Sequence, residues 1–183
     1  MAASGQIGPD ADANPTNKGN IMASTKKANG ATSKKKAAID AIALLRADHK
    51  HVSDLFSQFE KSRASTRKAK LVEEICRELT VHAQVEEEIF YPAFRAATRD
   101  KELVPEATVE HQSMKDLIAQ VQGVPPDGDM YDAKVKVLGE YVKHHVKEEQ
   151  GEMFPKAKSS KMPMAELGEQ IRQRKQELLA VYA

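Results

Sequence analysis

The sequence predicts an all-α protein: an antiparallel four-helix up-and-down bundle with a disordered N-terminal tail and a short C-terminal helix. Three observations lead there. Apolar residues recur at three- and four-residue spacing in four segments between residues 40 and 153, the pattern of helices with one buried face. Helix formers such as Ala, Glu, Lys, Gln and Leu dominate the second half, while aromatics make up only 5% and Trp is absent, a mix that favours helix over sheet. The first two helical segments return in the last two at a shift of 62 to 63 residues, as two helical hairpins closing into one bundle would.

Residues 1–37 are rich in Gly, Ala, Asn, Ser, Thr and Lys without apolar periodicity, so a disordered tail is expected there and one folded domain over 38–183. Six Lys against Asp10 and Asp12 give the tail a charge of +4 and leave −3 for the rest. No aromatics interleave with the Lys runs, which therefore read as solvated rather than as a nucleic-acid contact. No run approaches the roughly 18 apolar residues of a membrane span, and no apolar stretch marks a secretory signal. The expectation is a cytoplasmic protein without membrane contact. Cys76 stands alone, which excludes an intramolecular disulfide, and its place in a helical stripe makes it a small core residue rather than a reactive thiol.

The first helix, about 40–60, opens on Asp40 as N-cap and carries Ile42, Leu45, Val52, Phe56 and Phe59, with His49 interrupting the stripe. The second, about 66–97, has Val72, Ile75, Leu79, Ile89 and Ala93 on one face. The third opens near Pro105, a favoured first-turn residue, and carries Ala107, Met114, Ile118 and Val121 before Gly123, Pro125, Pro126 and Gly128 end it. The fourth, about 130–153, presents Val135, Leu138, Val142 and Met153. A shorter amphipathic helix, about 164–180, carries Leu167, Ile171 and Leu178 and is expected to pack outside the bundle.

The polar residues that break these stripes carry the chemistry. At about 100° per residue, His82 and Glu86 fall inside the arc of Val72, Ile75, Leu79 and Ile89, and His145 and Glu149 inside that of Val135, Leu138 and Val142. His49 and His111 lie on the stripes of the first and third helices. Six titratable side chains from four helices thus point to one interior, where unpartnered ionised groups would each cost several kcal/mol. A metal removes that cost. Imidazole with carboxylate suits iron, manganese or zinc, and the lack of clustered Cys argues against a structural zinc or iron–sulfur site. Two carboxylates among four His imply two ions, each Glu offering one oxygen to each. The neighbouring pair His144 and Glu148 lies about 100° away and reads as solvated, as does His51.

In these residues the chain resembles the hemerythrin-like HHE cation-binding proteins. The segments LLRADHKHVSDLF, LTVHAQVEEEIFYP, VEHQSM and HHVKEEQGEMFP stand in that family's order, and the likeness covers about 38–180. The resemblance implies a non-haem, oxo- or hydroxo-bridged pair of iron ions, ahead of Mn or Zn, with His49, His82, His111 and His145 as terminal ligands and Glu86 and Glu149 as bridges. It implies binding of, or response to, dioxygen, peroxide or nitric oxide; a catalase- or peroxidase-like enzyme and an iron storage or handling protein are the alternatives. Oxygen-carrying hemerythrins have a fifth His one turn before the third-helix His, where this chain has Ala107. Tyr91 and Glu87 are the residues that could fill that gap.

Overall fold

The structure is a computed structural model that describes residues 40–126 and 128–182. The expected tail, 1–37, lies outside the described residues. Among those described there is helix and no strand, and no helix is long and apolar enough to cross a membrane.

Helix α1 (Ala41–Lys61) begins where expected: Asp40 is extended and its side chain accepts the Ala43 N–H, which satisfies one of the four free donors of a first turn. The expected second helix is interrupted. Helix α2 (Ser65–Val85) passes into a single π turn, Glu86–Phe90, before α3 (Tyr91–Ala97). The fourth behaves the same way: α5 (Asp129–Glu148) continues through a π turn, Glu149–Met153, into α6 (Phe154–Ser159). Between them lies α4 (Leu103–Val121). Both π turns have one cause. Pro92 and Pro155 stand two residues past each turn, cannot donate to the carbonyl four residues back, and crowd it with their rings. Widening the preceding turn relieves the clash, so the Tyr91 N–H donates to the Glu86 carbonyl and the Phe154 N–H to that of Glu149, five residues back.

Helix α4 starts two residues ahead of the expected Pro105, because Asp100 Oδ1 accepts the N–H groups of Glu102 and Leu103 and fixes the first turn there. It ends before Gly123, whose φ of 72° lies in the left-handed region. Helix α1 packs on α2, and α4 on α5. Helix α5 also meets α1, where a Cβ on Gly139 would come within 3.2 Å of the Phe56 ring.

Helix α7 (Met164–Ala180) lies where the pattern placed it but is no peripheral addition. It packs on α1, α2 and the first π turn. Ile171 is fully buried and shares an apolar cluster with Ile42, Leu45, Phe90, Phe94 and Phe154. A second cluster gathers Val52, Leu55, Val72, Ile75, Leu79, Met114, Ile118, Val135 and Leu138. Cys76 is fully buried in it. The six polar stripe residues stand at the junction. On α1, His49 falls between Leu45 of the first cluster and Val52 of the second, and on α4 His111 falls between Ala107 and Met114.

Candidate metal centre

All six residues singled out from sequence are buried: His49, His82, His111, His145, Glu86 and Glu149 are each at most 6% exposed. They meet. His49 Nε2 lies 2.9 Å from His82 Nε2, and His111 Nε2 lies 3.1 Å from His145 Nε2. Glu86 divides its oxygens between the pairs, with Oε1 3.3 Å from His82 and Oε2 3.4 Å from His111. Glu149 sits differently: its Oε2 approaches His49 at 3.2 Å and His145 at 3.6 Å, while its Oε1 accepts a hydrogen bond from the Tyr91 hydroxyl at 3.0 Å. Two sets of donor atoms result, each lying within 4.8 Å of one another: His49, His82, Glu86 and Glu149 in one, Glu86, His111 and His145 in the other.

The outer nitrogens of these rings are also held. Asp48 faces His82 Nδ1 at 3.4 Å, Glu87 faces His111 Nδ1 at 2.9 Å, and Glu110 faces His145 Nδ1 at 2.7 Å. At His49 the partner is the Gln150 amide, 3.0 Å from Nδ1. A carboxylate on Nδ1 keeps the proton there and aims the Nε2 lone pair inward. In that tautomer the Nε2 lone pairs of His111 and His145 confront each other at 3.1 Å, and buried Glu86 Oε1 and Glu149 Oε2 have no hydrogen-bond partner. Groups so arranged need positive charge between them. The donor set therefore fits a pair of cations.

Protons answer the same demand when metal is absent. Burial disfavours a charged His82, but the Glu86 and Asp48 carboxylates outweigh it and raise its pKa to about 10. Burial likewise opposes charge on His145, and Glu110, Glu149 and Glu86 raise it. Glu86 is pushed up by burial and held well below the usual carboxylate range by His82 and His111. Cations entering the site would displace these protons.

A family model for the hemerythrin HHE cation-binding domain matches residues 40–157. The chain belongs to that family. The crystal structure of a hemerythrin HHE cation-binding domain-containing protein from Mycobacterium kansasii superposes with a TM-score of 0.67 at 25% identity, covering 79% of this chain and 91% of that one. A curated relative from Nostoc sp. (strain PCC 7120), named a DNA nickase, is 29% identical over 111 residues, 61% of this chain. The chain spans about a third of that relative's length, 31%.

Within this HHE domain the two residues offered for the gap at Ala107 part company. Glu87 turns outward, between His111 Nδ1 and Lys115 Nζ. Tyr91 turns inward: its hydroxyl is 3.3 Å from His111 Nε2 and 3.4 Å from Glu86 Oε2. The π turn brings it there, since five residues along an α-helix lie about 140° apart. Burial, then the charges of Glu86 and Glu149, hold the phenol well above its ordinary pKa, so it is a hydrogen-bond donor. Its repeat partner, Phe154, stacks on His49 at 5.8 Å without a hydroxyl to offer.

Sequence reasoning misses Asp48, Glu110 and Gln150, because polar residues next to a stripe read as solvent-facing, and it offers Glu87 for the gap at Ala107 rather than as the partner of His111 Nδ1. The repeat held the signal. Asp48 becomes Glu110 at the shift of 62, and Glu87 becomes Gln150 at 63.

Proposed function

We propose that this chain is a non-haem di-iron protein that binds or responds to dioxygen, peroxide or nitric oxide. The observation that carries this reading is the pair of buried donor sets joined by Glu86, with two carboxylate oxygens left without hydrogen-bond donors. His49 and His82 would hold one ion and His111 and His145 the other, with Glu86 and Glu149 reaching both. The fold we infer around them, over 38–183, is an antiparallel up-and-down bundle of α1, α2 with α3, α4, and α5 with α6, in a cytoplasmic protein.

An iron pair supplies one- and two-electron exchange with a small oxidant; the chain supplies orientation and access. Three Nδ1 carboxylates fix the rings, and the Tyr91 phenol offers a proton at Glu149 Oε1. A cavity of about 20 Å³ lies against all four His, walled mainly by Val52, Leu79, Met114, Ile118, Val142 and Val146. It has room for a molecule of a few atoms and no space for a bulky substrate. Iron is favoured over zinc because mixed imidazole and carboxylate donors with an open position suit a redox metal.

The test is anaerobic loading of the full chain with Fe(II), followed by exposure to air. Two irons per chain with near-ultraviolet charge-transfer absorption are expected. Well under two irons, with no such absorption, would sink the reading. The name of the Nostoc relative favours one second reading, nicking of DNA, and relaxation of supercoiled plasmid by the iron-loaded chain, lost in His82→Ala, would support it.

A further inference from the structure

Helix α5 carries two His-x-x-x-Glu pairs side by side, His145 with Glu149 inside and His144 with Glu148 outside. Glu110 of α4 stands between them. Its Oε2 accepts from His145 Nδ1 at 2.7 Å, and its Oε1 lies 3.3 Å from His144 Nε2, which is 3.2 Å from Glu148 Oε1. One nitrogen and two carboxylate oxygens thus form a third donor cluster, within 4.8 Å of one another. The His144 side chain is 62% exposed, so this cluster opens to solvent.

Two further features set it apart from an ordinary surface ion pair. The other Nδ1 carboxylates already carry a fixed cation, Asp48 from Lys175 and Glu87 from Lys115. Glu110 instead faces His144, while Glu106 and Glu152 add negative potential around Glu148. Beneath the cluster lies a cavity of about 10 Å³, the size of one water, lined by Ala107, Glu110, His145, Glu148 and Glu149. Glu149, 1% exposed, lines the inner end of this cavity, and its Oε2 turns on to the Nε2 atoms of His49 and His145. The small side chain of Ala107 leaves this gap between surface and interior.

We propose that Glu110, His144 and Glu148 form an entry site that captures a divalent cation from solution and passes it beside Ala107 to Glu149 and His145. The inference rests on the two-metal reading above. An outer set of three ligands that opens to solvent holds a cation weakly enough to release it, and the buried donor sets inside, which share Glu86 and include Glu149 and His145, hold it more tightly. The acidic rim raises the local cation concentration, an effect that speeds capture and fades with salt.

The experiment follows uptake of Fe(II) by the metal-stripped full chain, anaerobically, quenching with a colour-forming ferrous chelator at intervals. The double variant His144→Ala, Glu148→Gln is expected to fill about tenfold more slowly than wild type, to reach the same two ions per chain, and to show a weaker salt dependence of the rate. His144→Ala alone, at an exposed position, should slow uptake in the same direction and guards against misfolding of the double variant, as does its helical circular dichroism. Ala107→Leu, which narrows the gap, should slow uptake with the outer cluster intact. Wild-type rates in the folded double variant would overturn the entry site and leave the two-metal reading standing. Wild-type chain that takes up no iron at all would overturn both.

Discussion

Glu87→Gln tests whether the two halves of the centre are separately built. The Glu87 carboxylate holds Nδ1 of His111, a ring 1% exposed, at 2.9 Å. A hydrogen bond to a charged group contributes about 1.5–3 kcal/mol net, and about 1.4 kcal/mol is tenfold in binding. Loss of that charge should therefore weaken the ion held by His111 and His145 by roughly 10- to 100-fold, the range seen when outer partners of ligating His are changed. The ion held by His49 and His82 should change by less than about twofold, because those rings face Gln150 and Asp48. Glu87 also pairs with half-exposed Lys115, an interaction worth under about 1 kcal/mol to the fold. Competition of the metal-stripped chain against a chelator of known affinity, fitted to two sites, reads both constants. Equal weakening of the two sites, or of neither, would refute the separate-halves argument.

Three other outcomes follow from the packing. Ile171→Ala removes a fully buried side chain of α7 and should cost about 2–5 kcal/mol, lowering Tm by roughly 4–20 °C; a change under 2 °C would make α7 peripheral after all. Burial pushes the Cys76 thiol up to about 11, so on the order of one chain in a thousand carries thiolate at pH 8, and a thiol reagent should label the native protein only as it unfolds. Asp100→Ala removes the cap of α4 at an expected cost of about 0.5–2 kcal/mol by denaturant titration. Lys156 and the Leu103 N–H hold the Asp100 carboxyl below its usual 3.8. Its contribution is therefore full above that value and lost as pH falls through the lower one, so wild type and variant should converge only in strong acid.

Much of this architecture was legible because burial imposes period on sequence. Val72, Ile75 and Leu79 announced a helix face, and His82 and Glu86 stood out because a buried carboxylate is expensive. The repeat then turned six isolated residues into one constellation. What escaped had physical reasons. A π turn leaves no mark on a short apolar pattern, and only the aromatic–Pro pairs Tyr91-Pro92 and Phe154-Pro155 foretold it. Tyr91 is consequently offered for the gap at Ala107 by the family resemblance and not by helical spacing. Three apolar residues placed helix α7 outside the bundle without showing how deeply it packs, and Ile171 joins the apolar cluster of Ile42, Leu45 and Phe90. The ring-holding roles of Asp48, Glu87 and Glu110 hid because the sequence cannot say that a charged residue beside one stripe residue serves the ring on a different helix.

The proposed function requires two cations among His49, His82, Glu86, His111, His145 and Glu149. Anomalous diffraction at the iron edge from crystals of the loaded chain counts and locates them directly. Two peaks are predicted, one between His49 and His82 and one between His111 and His145, with Glu86 reaching both. A single peak, or density confined to the surface at His144, would contradict it.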